Sequence, residues 1–279
     1  MDMLVSTEWL EGELGANDLR VVDATYFALD PARDAQAEYE AGHIPGAVHL
    51  DLANLKDENN ALPRMIPTAE KFASRMQSLG LGDGSRIVLY DNSPHRTSAR
   101  AWFMFRMFGA SEVAILDGGL HKWVAEGRPL EQGRVTLRHR HFTVWRDPAA
   151  VRDLSQMKEN VASGAEEVVD ARSAKRFTGE EADPRGLASG HIPGSKNLPF
   201  DQLLAPDGTF RNKDELRAAF AEAGVDGAKP LVATCGSGVT ASVVLFAAAL
   251  LGREDIALYD GSWSEWGLRP DTEKAIGPA

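Results

Sequence analysis

Leu231-Val-Ala-Thr234, Cys235-Gly-Ser-Gly-Val-Thr240 and Ala241-Ser-Val-Val-Leu-Phe-Ala-Ala-Ala-Leu-Leu251 read as a strand, a loop and a helix in immediate succession. The first run is short and apolar without polar alternation, the pattern of a strand buried on both faces. The third is apolar all round, as a buried helix is. Between them lies a loop with two glycines and the single cysteine of the chain. Such a succession is the local signature of a parallel sheet covered by helices. Ligands of these sheets bind beyond the carboxyl ends of the strands, which is where Cys235 falls. Loop N–H groups and the positive end of the helix would ring its sulfur, and both favour the thiolate. A lone cysteine also suits the interior as a small apolar residue. The strand–loop–helix setting favours the reactive thiol.

The chain is written twice. His43-Ile-Pro-Gly-Ala47 returns as His191-Ile-Pro-Gly-Ser195, an offset of 148. Val21-Val-Asp-Ala24 returns as Val168-Val-Asp-Ala171, and Asp117-Gly-Gly119 with Trp123 returns as Asp260-Gly-Ser262 with Trp266. These offsets of 147 and 143 are too long for a solenoid repeat and mark domain duplication. The copies are placed at residues 1–130 and 150–279, joined by a linker over 131–149. The linker carries Arg138-His-Arg-His141, whose arginines oppose a metal cation, and it reads as solvated chain. Strands are expected at 19–23, 86–90, 113–116, 167–170, 231–234 and 256–259. Helical spacing runs over 69–79, 98–108, 213–223 and 240–251. The expected fold is α/β: two tandem domains, each a mainly parallel sheet with helices on both faces. Histidine stands in both His-Ile-Pro-Gly turns whereas cysteine stands in one copy only, so the histidines read as structural.

Composition narrows the functional classes. A 279-residue chain with 43% apolar and 25% charged residues is an ordinary globular protein. The net charge of −11 argues against nucleic acid or an anionic membrane as principal partner. One cysteine permits no intrachain disulfide, and no signal peptide or membrane span is visible, so a soluble cytoplasmic protein is expected.

Three chemistries compete for the cysteine loop. Gly236-Ser-Gly238-Val-Thr-Ala241 matches the dinucleotide fingerprint, with Asp260 downstream. That fingerprint needs no cysteine and usually opens its domain. A cysteine phosphatase needs an arginine six positions after the nucleophile, where this chain has Ala241. Sulfur transfer needs only a thiolate that attacks sulfur and N–H donors that hold the resulting persulfide. It requires neither metal nor cofactor.

Taken together, two His-Ile-Pro-Gly copies and one Cys-Gly-Ser-Gly-Val-Thr loop resemble the tandem-domain rhodanese-like sulfurtransferases, in their 3-mercaptopyruvate sulfurtransferase branch. The resemblance covers almost the whole chain. It implies a first copy that is catalytically inactive, with Asp91 at the cysteine position, and a Cys235 persulfide cradled by Gly236, Gly238, Val239 and Thr240. Thiosulfate-using members typically carry basic residues after the cysteine, whereas Gly236 and Ser237 leave this loop neutral. Arg176-Phe-Thr-Gly179 and Pro184-Arg185 match the contexts of the family's substrate-binding arginines, which makes Arg176 and Arg185 the expected partners of an α-keto acid. A Ser–His–Asp proton relay credited to the family maps its serine onto Ser237, with His43 and Asp34 available for the rest. The implied reaction moves sulfur from 3-mercaptopyruvate, or alternatively from thiosulfate, to a thiol acceptor such as thioredoxin or to cyanide. A nucleotide-binding oxidoreductase and a non-catalytic redox sensor remain the rival classes.

Overall fold

The computed structural model describes every residue except Leu29 and Pro31. The chain divides into two compact units. The first holds Met1–Glu58, Ile66–Asp147 and Pro206–Phe210; the second holds Asn59–Met65, Pro148–Ala205 and Arg211–Ala279. Each unit thus includes a short segment whose sequence falls within the other copy.

In the first unit, strands β1 (Leu4–Val5), β2 (Leu19–Asp23), β3 (Val48–His49), β4 (Arg86–Tyr90) and β5 (Val113–Leu116) pair in the order β1-β5-β4-β2-β3, all parallel. The helices are α1 (Thr7–Glu13), α2 (Ala35–Ala41), α3 (Ala69–Ser78), α4 (Thr97–Met107) and α5 (Gly119–Ala125). Alternate strand residues face opposite ways. Val21, Val88 and Ala114 meet Leu10 of α1 and Trp123 of α5 in one buried cluster. Ile87, Leu89 and Val113 are equally buried on the other face. There α4 packs on β4 and β5, and Phe72 of α3 stacks on Phe108, ring centres 4.4 Å apart.

Up to Asp147 the stretch read as a linker forms no helix or strand, yet it is not free chain. Glu131 exchanges backbone hydrogen bonds with His43, Val135 N donates to Tyr39 Oη, and Trp145 N donates to Phe108 O. Phe142, only 5% exposed, closes edge-on over Phe72 and Phe105. Anchoring through one aromatic ring and scattered backbone bonds leaves no periodicity for sequence reading to detect. The Arg138–His141 side chains do stay exposed, as read.

The second unit repeats the plan. Strands β6 (Val151–Arg152), β7 (Glu167–Asp170), β8 (Lys196–Asn197), β9 (Leu231–Thr234) and β10 (Ile256–Tyr259) form an all-parallel sheet in the order β6-β10-β9-β7-β8. Its helices are α6 (Leu154–Ser163), α7 (Ala174–Thr178), α8 (Lys213–Glu222), α9 (Ala241–Leu250) and α10 (Ser262–Trp266). Val168, Val232 and Ala257 pack with Met157 of α6 and with Trp263 and Trp266 of α10. On β9 and β10 also rests α9, buried from Ala241 through Ala249, which is why its sequence is apolar on every side.

Both His-Ile-Pro-Gly turns are built alike. His43 Nδ1 lies 2.8 Å from Tyr39 O with its ring stacked on Tyr39, and His191 Nδ1 lies 2.9 Å from Phe177 O with its ring stacked on Phe177. Each imidazole is buried with its Nδ1 edge joining a helix to a turn, while His43 Nε2 has no hydrogen-bond partner among the described residues and lies 4.0 Å from a Glu131 carboxylate oxygen.

One equivalent position differs in charge balance. At the end of β7, Asp170 pairs with Arg172 at 2.6 Å, and Arg172 lies over the Trp263 ring. At the end of β2, the matching Asp23 has Thr25 in place of an arginine, and burial pushes its carboxyl up to about 6. A raised folded-state value means stability that is complete below the unfolded value near ~3.9 and lost as pH rises through the folded one. Asp23→Asn keeps the Thr25 N–H acceptor and removes this loss. The variant is expected to gain about 1–3 kcal/mol over the parent at pH 8 and to converge with it near pH 4. Chemical denaturation at the two pH values measures it.

Candidate functional site

Parallel pairing carries β9 to its carboxyl end at Thr234, and the chain turns at Cys235 into the loop that opens α9. Cys235 is a free thiol, 2% exposed. The carbonyls on this side of the loop face away from it onto α10. Cys235 O accepts from Trp263 N at 2.9 Å, and Gly236 O accepts from Ser264 N at 2.9 Å and Ser264 Oγ at 2.7 Å. The N–H groups of Gly236, Ser237, Val239 and Thr240 have no hydrogen-bond partner among the described residues. Gly238 turns the loop at φ 77°, a left-handed conformation that a side chain would strain. Two carbonyls clamped onto α10 and four unpartnered amides in one short loop suit an anion.

The first copy places a carboxylate at the equivalent position. Its loop runs Asp91 to Arg96 before α4, residue for residue with Cys235 to Thr240. Asp91 O accepts from Leu120 N at 3.0 Å, as Cys235 O does from Trp263 N. Its carboxylate accepts from Ser93 N at 2.9 Å and Ser98 N at 2.8 Å. Where the second copy has a sulfur, the first has a carboxylate held by one loop amide, Ser93 N, and by Ser98 N in the first turn of α4.

Arg185 clamps the loop. It meets Asp183 through Nε and Nη2 at 2.8 and 2.6 Å, while Nη1 donates to Gly236 O at 3.1 Å and to Ser264 Oγ at 2.6 Å. Burial works to raise the Asp183 carboxyl, but hydrogen bonds from Arg185 and the charges of Arg185 and Arg176 outweigh it and hold it below the usual range. Arg176 stands on α7 and pairs with Glu181 at 3.0 Å. No hydrogen bond joins it to the 235–240 loop among the described residues. Of the two expected arginines, then, only Arg185 is in contact with the loop.

Ser237 is 7% exposed and its hydroxyl accepts from Arg64 Nη1 at 2.8 Å. Asp34 caps α2 by accepting from Gln36 N and Ala37 N, and His43 Nδ1 faces the Tyr39 carbonyl. No hydrogen bond joins Asp34 to His43 among the described residues.

Sequence reading missed four participants: Arg64, Asp183, Ser262 and Ser264. Asp183 and Ser264 carry no motif, being defined only by what Arg185 touches. Ser262 occupies a left-handed position at φ 48°, where the first copy has Gly119 at φ 59°. Its hydroxyl donates to Tyr259 O and accepts from Cys235 N at 3.3 Å, which supplies a reason for a side chain there. The Gly119-to-Ser262 difference between the copies was the available signal.

Against known proteins, the model of the rhodanese-like domain matches residues 6–126 and again 153–269. The chain belongs to the rhodanese-like domain family. It is 41% identical over 98% of its length to the 3-mercaptopyruvate sulfurtransferase of Homo sapiens, covering 94% of that protein. It is also 41% identical over 94% of its length to the thiosulfate sulfurtransferase of Gallus gallus, covering 92% of that protein. The crystal structure of the 3-mercaptopyruvate sulfotransferase SseA from Escherichia coli superposes with a TM-score of 0.88 at 37% identity, covering 95% of this chain and all of the other. The doubled fold expected from the two His-Ile-Pro-Gly copies is therefore a tandem rhodanese-like fold.

Proposed function

We propose that this chain is a sulfurtransferase that takes sulfur from 3-mercaptopyruvate onto Cys235 and passes it on from a persulfide, with release of pyruvate. The observation that carries this reading is the set of unpartnered amides in the Cys235 loop, whose counterpart in the first copy already holds a carboxylate.

The steps balance without an oxidant or a cofactor. The Cys235 thiolate attacks the sulfur of mercaptopyruvate and an S–S bond forms. The C–S bond breaks, its electron pair leaving as the enolate of pyruvate. The donor's thiol proton ends on the enolate carbon, and the enzyme keeps a persulfide anion held by the N–H groups of Gly236 to Thr240. Attack by cyanide or an acceptor thiol on the outer sulfur returns the Cys235 thiolate. A thioredoxin-class dithiol fits the acceptor role by its chemistry. The nucleophile is an anion before and after each transfer, so one fixed set of donors serves both half-reactions.

Arg185 and Arg176 are assigned to the donor's carboxylate and keto oxygens. Arg176 has to exchange Glu181 for the substrate to play this part. Arg176→Ala is expected to raise the KM for mercaptopyruvate roughly tenfold, the worth of one charge-assisted hydrogen bond. Cyanide discharge of the loaded enzyme should keep its rate. Steady-state and single-turnover kinetics separate the two.

Thiosulfate is the second candidate donor, favoured by the relative from Gallus gallus. The loop offers that dianion no basic side chain between Cys235 and Ala241. Intact-mass spectrometry after incubation with each donor tests the proposal. A gain of one sulfur atom from mercaptopyruvate, removed by cyanide, is the expected result. Loading by thiosulfate alone would reassign the donor, and loading by neither would end the sulfurtransferase reading.

A further inference from the structure

Residues 59–65 lie in sequence between β3 and α3 of the first copy, yet they belong to the compact unit that contains Cys235. Arg64 on this segment donates from Nη1 to Ser237 Oγ at 2.8 Å, joining positions 173 residues apart. Its backbone sits at φ 62°, one of three non-glycine residues with positive φ among those described. A long side chain in this conformation costs about 1–2 kcal/mol. The arginine is therefore held in a backbone that glycine would occupy at no cost.

A guanidinium only donates. Ser237 Oγ is thus fixed as an acceptor toward Arg64, and its own proton must leave in another direction. In the half-reaction proposed above, the group that needs a proton is the enolate carbon, and the group that loses one is the donor thiol. A serine hydroxyl beside Cys235 can serve both, giving its proton to carbon and taking one from the thiol. During that exchange its oxygen carries partial negative charge, which a fixed cation 2.8 Å away stabilises.

We propose that Arg64 is a positioning residue for this chemistry: it orients the Ser237 hydroxyl toward the substrate and stabilises the charge that develops on Oγ as the proton moves. The inference rests on the sulfurtransferase reading and on Ser237 as the proton carrier. It gives the electrically neutral 236–240 loop a cation supplied from a segment remote in sequence.

The test compares Arg64→Ala, Arg64→Lys, Ser237→Ala and the Arg64→Ala/Ser237→Ala double variant in single turnovers. One rate is that of sulfur loading onto Cys235 from mercaptopyruvate. The other is cyanide discharge of the loaded enzyme, in which no carbon is protonated. Arg64→Ala should slow loading roughly 10- to 100-fold, within the span of general acid–base catalysis. It should do so at saturating donor with KM little changed, and discharge should keep the parent rate. Arg64→Lys should recover most of the loss, because a lysine restores a donor and a charge. In the Ser237→Ala background the Arg64→Ala change should cost nothing further. Full additivity of the two changes would overturn the proposal, as would a loss confined to KM or an equal loss in discharge. A parent enzyme that accepts no sulfur from mercaptopyruvate would instead overturn the donor assignment, and this inference would fall with it.

Discussion

Cys235→Ser is expected to gain no sulfur from any donor and to lose turnover by about four orders of magnitude or more, the scale seen when a covalent nucleophile is removed. The fold should survive. A serine hydroxyl is smaller than the thiol, and the loop that follows this position carries unpartnered N–H groups. The stability change should stay within about 1 kcal/mol. Mass spectrometry after incubation with mercaptopyruvate, together with thermal unfolding, checks both halves. A Cys235→Ser protein that still produced pyruvate and transferred sulfur at more than trace rates would refute the covalent route.

Arg185→Ala carries the second large effect, and it acts on stability and activity together. Removing the guanidinium strips Gly236 O and Ser264 Oγ of a donor and leaves the buried Asp183 carboxylate without its cation. The Arg185 side chain is itself 30% exposed, so the loss is expected near 1–3 kcal/mol, below that of a fully buried pair. The sign with pH is defined. Arg185 and Arg176 depress the folded-state value of Asp183, so their stabilisation is present above the unfolded value of ~3.9 and disappears as pH falls through the folded one. The gap between parent and variant should therefore narrow from neutral pH toward pH 3. Asp183→Asn combined with Arg185→Ala should recover most of the stability but not the affinity for mercaptopyruvate. Denaturation curves across pH and the KM of the double variant provide the measurements. Recovery of both properties would show that Arg185 acts on the loop alone and leaves the donor's carboxylate to another group.

Much of this arrangement was legible in the sequence, and its boundaries have physical reasons. The six strands read from sequence are four or five residues long and almost wholly buried, so their apolar runs stand out. The edge strands Leu4–Val5, Val48–His49, Val151–Arg152 and Lys196–Asn197 are two residues each, too short to show any period. Helix α9 was readable because it is apolar throughout; α7 and α10, at five residues each, were not read as helices. The Cys235 loop is contiguous, so its strand, glycines and helix lie side by side in the sequence. Arg64 could not be found that way. It is a polar residue in an irregular stretch of the other copy, and only the folded chain brings it to Ser237. Asp183 and Ser264 are likewise defined by the path of the Arg185 side chain, which no spacing encodes. The packing of residues 131–147 left little trace in the sequence because one ring, Phe142, does the anchoring, and a single apolar residue makes no pattern.

Asp91 has a consequence for how the duplicated halves diverged. A carboxylate seated on Ser93 N and Ser98 N gives the first loop a resident counter-ion that no substrate has to deliver. The first loop is therefore charge-balanced by its own side chain. The second half has no such built-in occupant, and its loop receives a full complement of negative charge only from the ionised or sulfur-laden cysteine. In the proposed cycle the Cys235 sulfur supplies that charge in its free and its loaded form alike, so the second loop never has to close around an empty centre.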